Sequence, residues 1–234
     1  EFTKMYNEDS KPQFSVGEYW DSSKKIKNWI DGTDKTSAAF DFQFKYVVRN
    51  ATDKADWTLL GKNNENNNDN WPLISNQVDN GNYRQYAITF VENHDTEVRP
   101  DGSSQGPLRK DTLAANAYLL AMPGTPCVFL KHWKAYKQEI ANMITVRKAL
   151  GITNTSATEN IASDKTYYAV QTTGSKGKLL AVVGTKAESY KPEGSEWKKA
   201  VSGYHYVYYV SGIDPTAINF PEINTEEEKD GEYD

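Results

Sequence analysis

A single cysteine, Cys127, rules out any disulfide within the chain, so cross-links cannot be what holds this fold together. It sits in the apolar run 125–130, where a free thiol is expected to behave as a small buried hydrophobe. Long apolar runs are missing as well: no stretch approaches the ~18 residues that a membrane-spanning helix needs. Positive charge is in short supply. The 27 Lys and Arg against 32 Asp and Glu leave a net charge of −5, which argues against a phosphate backbone as partner. Histidine is rare too, and His132 and His205 have no neighbours at metal-ligand spacing, so both read as structural. Aromatics are what the chain has in plenty, with 15 Tyr and 6 Trp. Such rings fill cores, and they also stack on sugar faces, which leaves neutral polysaccharide open as a ligand.

Residues 1–151 alternate between strand-like and helix-like segments. Strands are expected at 14–20, 38–42, 86–91 and 126–130, and helices at 22–30, 110–122 and 136–150. A helical or loop stretch anchored by Trp57 runs through Leu60. The segment 63–70, NNENNNDN, must be loop, because Asn and Asp compete with backbone pairing. Pro123-Gly124 stops one helix and Gly151 caps another. Four strand–helix units in about 150 residues, set against about 250 residues for eight, fit half of a (β/α)8 barrel of the α/β class.

The pattern changes after Gly151. Runs at 166–173, 179–185 and 204–211 are β-branched and aromatic, with a Gly/Ser hairpin turn at 174–177. They predict a small antiparallel all-β sandwich domain over 152–220, followed by an acidic tail, 221–234.

Two of the strand-like runs end abruptly in polar chemistry: 13–21, QFSVGEYWD, and 85–96, QYAITFVENHDT. Carboxylates and a histidine where a buried strand runs out are placed as a parallel barrel places its catalytic groups. Two such endings point to one shared site. A lone Glu18 at a strand end is by itself an ordinary surface carboxylate, but its neighbours favour a role. Gly17 would let a substrate or a neighbouring backbone come close, and Tyr19 and Trp20 would wall the carboxyl off from water, as a general acid requires. Asn93, Asp95 and Thr96 suit a capped turn. A cap has no need of His94, and three hydrogen-bonding side chains in a row suit a polyhydroxylated ligand.

These motifs resemble the fifth- and seventh-strand signatures of the α-amylase family, glycoside hydrolase family 13. Residues 38–42 resemble its sixth strand, and 117–129, AYLLAMPGTPCVF, its seventh helix and eighth strand. The resemblance covers essentially 1–220 and ends in the β-sandwich that follows the barrel in that family. It implies retaining endo-hydrolysis of α-1,4-glucan such as starch, glycogen or maltooligosaccharide. Glu18 falls on the family's general acid/base, Asp95 on its transition-state-stabilising aspartate and His94 on its substrate-binding histidine. Asn93, Trp20 and Tyr19 are expected to contact the glucan.

The family's nucleophile, an Asp in a Gly-x-Arg-x-Asp pattern on the fourth strand, has no counterpart. Arg99–Asp101 lies in a Pro/Gly loop and Arg109–Asp111 opens a helix. Residues 1–9 read as the helix between the fourth and fifth strands, so the expectation is a truncated portion, inactive alone. No metal site is expected within it, and the resemblance implies calcium for the complete enzyme from ligands upstream of residue 1. An extracellular or periplasmic setting is expected for the complete protein. The expected partner is α-glucan, with no nucleic acid and no membrane insertion expected, and half a barrel is expected to self-associate through its open edges. Two other readings stay open: a non-catalytic glucan-binding fragment, and a transglycosylase or α-1,6-acting member of the family.

Overall fold

A computed structural model describes residues 1–223, the side chains of 79–82 excepted. Most of the acidic tail, 224–234, lies outside the described residues. Four short strands, β1 (Val16–Gly17), β2 (Ala38–Phe40), β3 (Ala87–Thr89) and β4 (Thr125–Pro126), pair in sequence order, all parallel. Their register places Gly17 beside Ala39 and Ala39 beside Ala87, then Phe40 beside Ile88 and Ile88 beside Thr125. Helix α1 (Phe2–Ser10) precedes β1. Helices α2 (Ser23–Gly32), α3 (Phe42–Asp53) and α4 (Thr112–Ala121) lie between successive strands, and α5 (Leu130–Ala135) and α6 (Lys137–Leu150) follow β4.

Local chemistry sets these boundaries. The Ser22 side chain accepts the Lys25 N–H and starts α2. Asp41 accepts the Phe44 N–H at 3.1 Å, a cap that turns the chain into α3 one residue after Phe40. The strand expected over 38–42 therefore ends at Phe40, and Phe42 belongs to the helix. Gly151, at φ +68°, closes α6 in the left-handed conformation that a glycine permits. From α6 the buried Arg147 donates to the carbonyls of Leu120 (2.8 Å), Met122 and Gly124 (3.1 Å). It thereby satisfies acceptors that the end of α4 leaves open.

Two strand expectations shrink further. The run 14–20 pairs only at Val16–Gly17. The run 126–130 pairs at Thr125–Pro126, and Leu130 already begins α5. Cys127, expected to be buried, is exposed. Its N–H still donates to Thr89 O at 2.8 Å. Thr125 and Cys127 fall on one face by strand alternation, and both are exposed.

The second sheet corrects the expected sandwich. Strands β5 (Ala157–Asp164), β6 (Tyr167–Thr173), β7 (Lys178–Val183), β8 (Lys198–Gly203) and β9 (Tyr206–Ser211) form one antiparallel sheet in the order β5-β6-β7-β9-β8. No second sheet faces it among the described residues. Its inner face, including Val170, Leu179, Ala181, Val183, Tyr206 and Tyr208, joins the same core as Leu119 of α4 and Met143 of α6. The Tyr208 hydroxyl donates to Ala117 O of α4. The outer face carries a smaller cluster of Ala169, Leu180, Val182, Ala187 and Val207, with Tyr167, Tyr190 and Trp197 packed against it. Three apolar strands looked self-sufficient, but their inner face is covered by the helices of the parallel layer. The lone histidines, expected to be structural, both have side-chain partners within the fold. His132 Nδ1 lies 3.2 Å from Asn116 Nδ2, and His205 Nδ1 lies 2.6 Å from Asp111 Oδ1, tying the β8–β9 turn to the start of α4.

Candidate active site

Because β1 to β4 run parallel, their C-terminal ends emerge along one edge of the sheet. Glu18 follows β1 directly, Asp41 follows β2, and the Glu92–Thr96 motif follows β3 after Phe90 and Val91. Both polar motifs therefore leave the sheet at the same edge, on strands separated by β2.

An aromatic chain braces these exits. The Trp20 ring stacks on Phe42 at 4.7 Å and 14°. Phe42 meets Phe90 edge-on at 5.2 Å and 86°, and Phe90 meets Phe40 at 5.5 Å. Trp20 Nε1 donates to the Tyr46 hydroxyl at 2.6 Å. Trp20 is thus engaged with α3 through one ring face and its N–H, and Glu18 is exposed to solvent with Tyr19 36% exposed beside it. The apolar enclosure expected around Glu18 is not formed. The reading of Gly17 also changes. A Cβ there would lie 2.2 Å from Cη2 of Trp29, so the close approach is the indole of α2 packing on the strand.

At the β3 exit, Asn93 folds the turn. Its Oδ1 accepts the N–H groups of Asp95 (3.1 Å) and Thr96 (2.9 Å) and the Thr96 hydroxyl (2.9 Å). The oxygen expected on sugar is occupied by backbone, while His94 and Asp95 project outward with side chains 80% and 38% exposed. The Asp95 carboxylate lies between His94 Nε2 at 3.4 Å and the Arg99 guanidinium at 3.3 Å. In the sequence Arg99 stands out only as part of an Arg-x-Asp pattern.

Beneath the turn lies a pair that sequence reasoning missed. Lys45 of α3 and Glu92 are 0% and 3% exposed, with Nζ 3.4 Å from Oε1. Glu92 accepts from the Thr96 hydroxyl and, at 2.7 Å, from Leu108 N–H. Burial lowers Lys45 to about 8 against the pull of Glu92. Burial also pushes Asp41 up to about 7, opposed by backbone donors such as Phe44 N–H. Among the described residues no group of three or more His, Cys, Asp or Glu could hold a metal ion.

Glu18, Asp41 and the Glu92–Thr96 motif thus all follow the C-terminal ends of parallel strands, with an antiparallel sheet packed behind through the shared core. The family model described as Alpha amylase, catalytic domain, matches residues 1–175, and the chain belongs to that family. Probable alpha-amylase 2 of Arabidopsis thaliana is 29% identical over 236 residues, covering 89% of this chain and 51% of the plant protein. Alpha-amylase 3, chloroplastic, from the same plant is 30% identical over 225 residues, covering 88% of this chain and 23% of that protein. The chain thus spans about half the length of the first relative and less of the second. Among solved structures, a gamma-CGTase from alkalophilic Bacillus clarkii superposes with a TM-score of 0.60 at 16% identity, over 90% of this chain and 36% of that one. This last likeness is one of fold.

Proposed function

We propose that this chain carries the acid/base side of an α-amylase active site that hydrolyses internal α-1,4 bonds of glucan with retention. The observation that carries the reading is the emergence of Glu18 and the His94–Asp95 turn along one edge of the parallel sheet. Glu18 protonates the glycosidic oxygen as that bond breaks, then takes a proton from the water that hydrolyses the covalent intermediate. Asp95 and His94 hydrogen-bond sugar hydroxyls, contacts that strengthen as the ring flattens in the transition state. The nucleophilic carboxylate, about 5–5.5 Å from the acid in retaining enzymes, belongs to a part of the enzyme outside this chain, as do the ligands of the calcium proposed for it. An extracellular or periplasmic setting goes with this reading, although one relative's name places it in the chloroplast.

Glu18→Gln in the complete enzyme is the test. On starch, kcat/KM should fall by about 10²–10⁴-fold or more, the contribution of a general acid. On an aryl glycoside whose leaving group needs no proton, the fall should be far smaller. Equal losses on both substrates would remove Glu18 from the role. Robust starch turnover by residues 1–234 alone, abolished by Glu18→Gln, would overturn the external nucleophile.

A further inference from the structure

We propose that the buried Lys45–Glu92 pair is a clamp that positions the 93–96 turn by pinning both ends of the 97–108 loop to α3 and the β3 exit. What it positions, His94 and Asp95, rests on the function proposed above. Lys45 and Glu92 are positioning residues, since neither reaches solvent.

The geometry joins the two ends of the loop. At its start, Glu92 Oε1 accepts the Thr96 hydroxyl and, at 3.3 Å, the Asn93 N–H. At its far end, Glu92 Oε2 accepts the Leu108 N–H at 2.7 Å, and Lys45 Nζ donates to Gly106 O at 2.6 Å. The loop between carries Arg99, which returns to the Asp95 carboxylate at 3.3 Å. The seat on α3 is shaped for this closeness. Gly106 has φ +75°, and a Cβ there would lie 2.6 Å from Arg49 Nη1 and 3.4 Å from the Tyr46 ring. Tyr46 is also the acceptor for Trp20, so the seat continues to the β1 exit that carries Glu18.

Energetics point the same way. A buried ion pair gains little net stability over apolar residues of the same volume, whereas removing one partner leaves an uncompensated charge. Lys45 at the buried face of a helix is a costly way to fill a core and an effective way to hold one loop geometry.

Hydrogen exchange on the full chain tests the clamp, together with turnover by the complete enzyme. Lys45→Met should speed exchange of the 93–96 amides and of the Leu108 amide by about tenfold or more, while amides of β6 and β7 keep their wild-type rates. kcat should fall more than KM rises, and the loss should not add to that of Asp95→Asn. Glu92→Gln, which keeps the volume and one acceptor, should loosen the same amides if Lys45→Met fails to fold. Unchanged amides at 93–108, or uniform loosening that includes β6 and β7, would overturn the clamp. The two proposals fail separately. Wild-type turnover in Asp95→Asn would sink the functional reading and leave the exchange result standing. Lost turnover in Asp95→Asn, with the 93–96 amides still protected in Lys45→Met, would sink the clamp alone.

Discussion

The two sheets use their strands differently. Each parallel strand pairs over two or three residues, enough to set register, and then releases the chain into polar side chains at a common edge. The antiparallel strands pair over six to eight residues, and the inner face of β6, β7 and β9 is buried in the core shared with α4 and α6. Chemistry and core mass therefore occupy different places. Glu18 and His94 are exposed and Asp95 is partly so, while the largest buried rings of the second sheet, Tyr206 and Tyr208, point into the shared core. A protein arranged in this way can lose activity and stability independently, and substitutions can test whether it does.

The largest effect should separate the sheets by function. In the complete enzyme, Asp95→Asn should lower kcat by about 10²–10³-fold, the usual cost of losing one preorganised transition-state contact, with little change in unfolding midpoint. Tyr209→Phe, which removes the hydroxyl that donates to Tyr190 O on the outer face, should leave kcat unchanged. Starch kinetics on both variants checks the pair, and a catalytic defect in Tyr209→Phe would erase the contrast.

Stability should divide by face next. Leu179→Ala, at the helix-covered face, should cost about 2–5 kcal/mol. Leu180→Ala should fall at the low end of that range, because the 3₁₀ turn Ala187–Ser189 and the loop after it can close over the gap. Guanidinium titrations followed by Trp fluorescence and by far-UV circular dichroism should coincide for both variants. Separate transitions would mean that the sheets do not share one core.

A smaller effect is expected at the parallel edge. Gly17→Ala pushes a methyl into the Trp29 ring and should cost about 1–3 kcal/mol, as overpacking does, with a shifted Trp emission. Wild-type stability would show that α2 is free to move away.

The last is a pH effect at Lys45, lowered to about 8 in the fold from an ordinary value of 10.5. Between those values the unfolded chain binds more protons. The Lys45 contribution to stability is thus complete above 10.5 and is lost as pH falls toward 8. Unfolding free energies of wild type minus Lys45→Met should slope upward with pH inside that window and be flat below it. A flat difference throughout would mean that Glu92 keeps Lys45 protonated.

Much of this was legible in the chain, for local reasons. Gly151 ends α6, and Gly174–Gly177 closes a hairpin through the 2.9 Å bond from Gly174 N–H to Gly177 O, because turn chemistry is written in adjacent residues. The placement of Glu18 and Asp95 at strand ends was legible for the same reason. Strands β5, ATENIASD, and β8, KKAVSG, were not, because both are edge strands whose polar side chains carry little strand signal. Nor was Lys45. Within α3 it reads as a solvated residue, and only Gly106, 61 positions later, and Glu92 make it an interior one. The sandwich was misjudged on the same ground, since what covers a sheet is decided by distant helices.

The hydroxyl of Tyr208 bound to Ala117 O has a consequence for modularity. Severed at Gly151, the antiparallel sheet would present Leu179, Ala181, Val183, Tyr206, Tyr208 and Val210 to water as a single apolar plate, with one phenol deprived of its acceptor. It is not a cassette that recombination could move between enzymes. Any transfer would have to carry α4 and α6 along, so the unit of inheritance here is the sheet together with the helices it rests on.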